Sequence, residues 1–194
     1  MCHMSCLEFG KRALFREEIE GKKIIEVGSL NINGSLRDMV IKYNPNSYAG
    51  IDLTQGPGVD MICRAENMVK KFGKNSFDVV ISTELLEHAK DWRSVISNIK
   101  DVCKAGGLML MTTRSRGYPF HEYPNDFWRY ELKDMEDIFS DCEIIILEKD
   151  NSGILSKINR PGVFLKLRKP IDFKMKDLSR IMLYNINSDR RLIE

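Results

Sequence analysis

The sequence lacks any apolar run close to the ~20 residues that a membrane-spanning helix needs, so no membrane association is expected. It lacks a surplus of either charge: 30 basic and 28 acidic residues are mixed along the chain for a net +2. A nucleic-acid footprint needs clustered basic residues, so no nucleic-acid partner is expected. The opening "MCHMSCLEFGKRALF" has no apolar core of the secretory kind. Five cysteines cannot all pair, and Cys63, Cys103 and Cys142 fall on strand or helix faces, which points to a reduced, cytoplasmic chain. Cys2, His3 and Cys6 have no second ligand pair at zinc spacing, so no metal site is expected. Internal repeats and low-complexity segments are also missing.

What remains is a chain of 194 residues with 43% hydrophobic and 30% charged side chains, a balance that suits one folded domain with a real core. "KIIEVG", "YAGIDL", "GVDMICR", "FDVVIST" and "LMLMTT" read as five strands. Between them "SLRDMVIKY" places Leu36, Met39, Val40 and Tyr43 on one helical face, with Ser35 and Asp38 as a capping box. "NMVKKF" supplies a turn or two of helix. "DWRSVISNIKDVCKAGG" predicts a helix capped by Asp91, with Trp92, Val95, Ile96, Ile99, Val102 and Cys103 inward and Gly106 and Gly107 ending it. "YELKDMEDIFSD" predicts one more helix, and "EIIILEK" and "GVFLKLRK" two closing strands. The pattern predicts an α/β fold: a doubly wound, mostly parallel Rossmann-like sheet with an antiparallel terminal strand pair. Residues 1–169 form the expected domain, and 170–194 a tail that closes as a helix or docks on a neighbour.

Ligands of such sheets bind beyond the carboxyl ends of the strands. Glu26 and Gly28 end the first strand there, and Asp52, 24 residues past Gly28, ends the second. Arg64, Ala65 and Glu66 follow the third, and Ser82, Thr83 and Glu84 the fourth. A carboxylate at the Asp52 position can accept from both hydroxyls of a ribose. A dinucleotide loop wants close backbone approach to a pyrophosphate at its second glycine, and here Leu30 occupies that place. Glu26 would repel a pyrophosphate.

On "IIEVGSLNINGS", "YAGIDL", "GVDMICRAENM", "FDVVISTELLEH" and "KAGGLMLMTTRS", the chain over about residues 22–168 resembles the class I S-adenosylmethionine-dependent methyltransferases of the small-molecule, type 11 kind. The resemblance implies S-adenosylmethionine as cofactor and methyl transfer to a small-molecule acceptor. It implies Glu26, Gly28 and Ser29 along the methionine part, with Glu26 reaching the ammonium. Asp52 would hold the ribose, with Leu53 beside the adenine. Ala65 would offer its N–H to the adenine, Glu66 could substitute for the acid that Arg64 replaces, and Ser82 and Thr83 would border the sulfonium. Only the first of the usual three loop glycines is kept.

The acceptor side falls to two segments. Glu84 and His88 are spaced i, i+4 on an expected helix. "YPFHEYPNDFWRY", Tyr118 to Tyr130, carries six aromatics besides His121 and should overhang the crevice. Phe127 and Trp128 can anchor it. Glu84, Tyr123, Trp128 and Arg129 are the acceptor-binding candidates, and His121, then His88, the candidate bases. The rival readings are an NAD(P)-dependent oxidoreductase and a partner subunit that binds cofactor without turnover.

Overall fold

The computed structural model describes residues 4–121, 125–150 and 161–190. α1 (Met4–Ala13) and the single turn α2 (Arg16–Ile19) precede the first strand. β1 (Lys23–Val27), β2 (Ser47–Asp52), β3 (Met61–Ile62), β4 (Phe77–Thr83) and β5 (Cys103–Arg114) follow, with α3 (Arg37–Ile41), α4 (Met68–Phe72) and α5 (Trp92–Val102) among them. The chain then forms β6 (Trp128–Arg129), α6 (Leu132–Ile138), β7 (Glu143–Lys149), β8 (Gly162–Arg168), β9 (Tyr184–Asn185) and α7 (Asn187–Arg190).

The main sheet runs β3-β2-β1-β4-β5-β8-β7. Its first five strands are parallel, and β8 is antiparallel to both neighbours. The last strand of the sheet in the chain therefore sits inside it, with β7 at the edge. Burial explains the order: six of the seven β8 residues are buried, whereas β7 is exposed or half-buried throughout. The strand order reverses between β1 and β4, which opens a crevice at their carboxyl ends.

Two cores cover the two faces. On one, the α5 stripe of Trp92, Val95, Ile96, Ile99 and Val102 packs with Val80, Met109 and Met111. On the other, α1 and α3 cover Ile24, Val79 and Leu110, and Phe9 stacks on Phe164 with ring centroids 4.8 Å apart. Cys6 lies wholly inside this second core, whereas Cys2 and His3 lie outside the described residues. Among the described residues no helix is long and apolar enough to cross a membrane.

Three local expectations need correction. Asp91 does cap α5 by accepting from the Ser94 N–H at 3.2 Å, but the helix ends at Val102, and Cys103 already begins β5. Gly106 and Gly107 instead lie in β5. A Cβ on Gly107 would stand 2.8 Å from the Asp78 carbonyl, so the strand needs a bare backbone where it crosses a bulge beside β4. At α3 the capping box does not form: the Ser35 hydroxyl accepts from the Arg37 N–H at 3.0 Å and is turned toward Glu26. The tail is largely irregular up to β9. Leu178 and Ile181 bury in the first core, and the Arg93 guanidinium donates to both of their carbonyls.

Ile99 is fully buried at the centre of α5, so Ile99→Ala should cost about 2–5 kcal/mol in urea unfolding with an unchanged slope. Asp91→Ala, which removes only a cap, should cost about 1 kcal/mol.

Candidate active site

The loop after β1 is held by backbone pairing and by one carboxylate. Gly28 and Ser29 donate their N–H groups to the Ile51 carbonyl at 2.9 and 3.0 Å. Gly28 has φ +80°, and a Cβ there would stand 3.0 Å from Leu85, so this turn favours glycine. Asp52 accepts from the Leu30 N–H at 3.0 Å and from its neighbour Leu53 at 2.7 Å, tying the end of β2 to the loop. Residues 55–58 lie over the same loop, with Asn31 N–H donating to the Pro57 carbonyl at 2.8 Å. Leu30 and Ile32, where further glycines would stand in a phosphate-binding loop, line the cavity with apolar side chains.

Glu26 is 2% exposed. Its carboxylate accepts from the Tyr48 hydroxyl at 2.7 Å and the Ser35 hydroxyl at 3.3 Å. Burial pushes the Glu26 carboxyl up from 4.5 to about 7, against the opposing pull of those two hydrogen bonds. Burial and the adjoining Glu26 charge also push the Tyr48 hydroxyl up, so it stays a donor. Arg37 lies over the Tyr48 ring at 4.9 Å and grips Asp60 with two bonds of 2.8 and 2.9 Å, while Asp60 accepts from the Gly50 N–H at 2.7 Å. Tyr48, Arg37 and Asp60 were not anticipated. Their partners lie 10 or more residues away, and no short-range spacing signals them.

These elements border a cavity of about 630 Å³ at the switch point. Glu26, Gly28, Ser29, Asp52, Leu53, Ala65, Glu66 and Thr83 all line it, in an arc from β1 past β2 to the turn after β3. Glu66 accepts from Arg64 at 3.1 Å, so the unexpected arginine holds the candidate adenine-side acid in place. Ser82 does not reach the cavity: it is buried in β4, and its hydroxyl finds no partner among the described residues.

On the acceptor side Glu84 and His88 both line the cavity, but not as one face of an α-helix. Glu84 sits in a left-handed turn at φ +56°, followed by a single 3-10 turn, Leu86–His88. The Glu84 carboxylate is occupied, accepting from Thr112 at 2.9 Å and paired with the Arg114 guanidinium. Burial works against the Arg114 charge, and Glu84 more than restores it. Trp128 anchors its segment through Nε1 to the Ala89 carbonyl at 2.9 Å, outside the cavity lining.

Arg129 does not face the cavity either. It is 1% exposed, pairs with both Asp126 oxygens at 2.5 and 2.6 Å, and donates to the Tyr118 and Pro119 carbonyls. A guanidinium surrounded by acceptors in the interior leaves no donor for a ligand. Burial raises the Asp126 carboxyl, and Arg129 more than offsets this, holding it below the usual carboxylate range. His121 stands behind His88, the two rings edge to face at 4.8 Å. Asn125 and Phe127 complete this wall. Tyr123 lies outside the described residues.

Residues 33–111 match a family model described as a methyltransferase domain. The solved 1,6-didemethyltoxoflavin-N1-methyltransferase of Burkholderia thailandensis, bound to 1,6-didemethyltoxoflavin and S-adenosylhomocysteine, shares the fold. The TM-score is 0.65 at 10% identity, covering 85% of this chain and 78% of that one. The chain has the fold of a class I methyltransferase. Over 115 residues the chain is 30% identical to the ubiquinone biosynthesis O-methyltransferase of Pseudomonas aeruginosa, covering 52% of this chain and 48% of the relative. It is 24% identical over 151 residues to phosphoethanolamine N-methyltransferase 2 of Caenorhabditis elegans, covering 68% of this chain and 34% of the relative. The chain spans less than half the length of the curated relatives it matches.

The raised Glu26 pKa has a definite sign in stability. The folded state takes up a proton that the unfolded chain holds only below 4.5, so this contribution is full below 4.5 and is lost as pH rises through about 7. Glu26→Gln should remove a loss of about 3 kcal/mol between those limits. Urea unfolding of both proteins across that range measures the difference.

Proposed function

We propose that this protein transfers the methyl group of S-adenosylmethionine to a small-molecule acceptor. The arc from Glu26 through Asp52 to Ala65 and Glu66 carries this reading. It offers a carboxylate for an ammonium at one end, a carboxylate for a ribose diol in the middle, and a half-buried acid for an adenine amine at the other. The loop between these carboxylates presents Leu30 and Ile32 to the cavity rather than a bare backbone cradle, and Glu26 would oppose a pyrophosphate. Both features speak against a dinucleotide. The relatives' named activities, O-methylation and N-methylation, support a small acceptor. The unbridged thiols of Cys63, Cys103 and Cys142 support a reducing, cytoplasmic setting.

In the transfer a lone pair of the acceptor attacks the methyl carbon in line with the carbon–sulfur bond. That bond breaks with its electron pair staying on sulfur, which leaves neutral S-adenosylhomocysteine. The donor is already activated, so alignment and exclusion of water supply most of the help, up to roughly 7–11 kcal/mol. Apolar Leu30, Leu53, Leu85 and Phe127 around the cavity suit that task. An oxygen or nitrogen acceptor must also lose a proton. Of the two histidines only His88 lines the cavity; its Nδ1 is taken by the Asn125 carbonyl and its Nε2 is buried beside His121, so we place its ring against the acceptor and not as a free base.

Calorimetry should show binding of S-adenosylmethionine and S-adenosylhomocysteine and none of NAD or NADP. No heat with the first two would refute the reading. Binding requires ionised Glu26, so affinity should rise roughly tenfold per pH unit up to about 7 and level off above it. Asp52→Ala should abolish binding. Once a panel of labelled-methyl acceptors identifies a substrate, His88→Ala should lower turnover with cofactor affinity unchanged.

A further inference from the structure

Three donor atoms converge behind the acceptor wall from segments far apart in the chain. Glu87 Oε1, His88 Nε2 and His121 Nδ1 all lie within 4.8 Å of one another. Each is buried, and each finds no hydrogen-bond partner among the described residues. Buried polar atoms are nearly always paired, so three orphans around one point call for an occupant. The Glu87 and His88 side chains are 0% and 8% exposed, which keeps competing water away.

The groups behind these atoms prepare them as ligands. His88 Nδ1 lies 2.5 Å from the Asn125 carbonyl, which can only accept. Nδ1 therefore carries the proton, and the lone pair falls on Nε2. Glu87 Oε2 accepts from the Thr113 hydroxyl at 2.9 Å, which leaves Oε1 free. The Asp126 carboxylate stands 3.1 Å from His121 Nδ1 and adds negative charge at the same point.

We propose that Glu87, His88 and His121 form a binding site for a divalent transition-metal cation. Two imidazole nitrogens and a carboxylate oxygen suit zinc, cobalt, manganese or iron(II) better than magnesium or calcium, which prefer all-oxygen sites. Glu87 Oε1 and His88 Nε2 are 4.0 Å apart. A tetrahedral ion with bonds of ~2.0–2.1 Å spaces its ligands roughly 3.3 Å apart, so small side-chain rotations close the site. Three protein ligands leave a coordination position open. Through His88 the cation would lie beside the cavity, where it would ease deprotonation of an acceptor hydroxyl. That consequence rests on the methyl-transfer reading; the metal site itself does not.

The test is titration of chelator-stripped protein with Co²⁺, read by visible absorption and by equilibrium dialysis. One equivalent should bind per chain, and Glu87→Gln and His121→Ala should each weaken it at least about tenfold. Because Glu87 is fully buried, His121→Gln serves if the Glu87 variant does not fold. Zn²⁺ should raise the melting temperature of the wild type but not of His121→Gln. A Cys2→Ser/His3→Ala double variant should keep full affinity. Absence of binding in the wild type, undiminished affinity in both His121 variants, or loss in the Cys2/His3 variant would overturn the proposal. Calorimetry with S-adenosylmethionine is independent of these outcomes, so failure of the site and failure of the methyl-transfer reading can be told apart.

Discussion

A carboxylate almost without water stands at the end of β1, and the cofactor side of the molecule is arranged around it. Glu26 is kept there by the hydroxyls of Tyr48 and Ser35. Tyr48 lies under Arg37, which is locked to Asp60, and Asp60 in turn secures the backbone of β2 at Gly50. One buried acid thus joins β1, β2, the α3 entrance and the turn before β3. The arrangement is costly when Glu26 is ionised and has no cation opposite it, and that cost makes the site receptive to an ammonium group.

The opposite wall depends on a different charge. Arg129 and Asp126 form a pair in the interior, and removing one partner of such a pair typically costs about 3–5 kcal/mol. The pair fixes the segment that carries His121, Asn125 and Phe127. Its role is to hold the wall in place, whereas recognition is left to the residues that the wall exposes. Glu84 and Arg114 repeat the pattern at the end of β4. Both pairs show why a charged residue in a ligand-bearing segment need not point at the ligand.

Much of this was legible in the sequence. β-branched runs marked β1 and β4 and an apolar run marked β5, and Gly28 and Asp52 stood at the strand ends, where one makes a tight turn and the other ties β2 to the loop. The α5 stripe followed from helical period alone. What stayed hidden was set by long-range partners. Tyr48 and Asp60 are ordinary strand and turn residues until Arg37 joins them. Arg129 looked available because its partner Asp126 sits three places away in an irregular segment, where no fixed period relates side-chain directions. β8 enters the sheet between β5 and β7 because its buried length wins the inner place, a competition that neither strand reveals alone. The Cys103 boundary was missed because the helical apolar period runs on into a strand that is itself apolar on both faces.

The short pairing of β9 with β6 gives the molecule an order in time. Ile186 donates its N–H to the Phe127 carbonyl at 2.9 Å, and the Asn187 side chain donates to Asp126 at 2.8 Å. The arc from Glu26 to Glu66 lies within β1 to β4 and their turns, so its residues are synthesised first. The facing wall gains its last support only when residues 184–187 emerge. During synthesis the half that carries Glu26 and Asp52 precedes the half that faces it across the cavity.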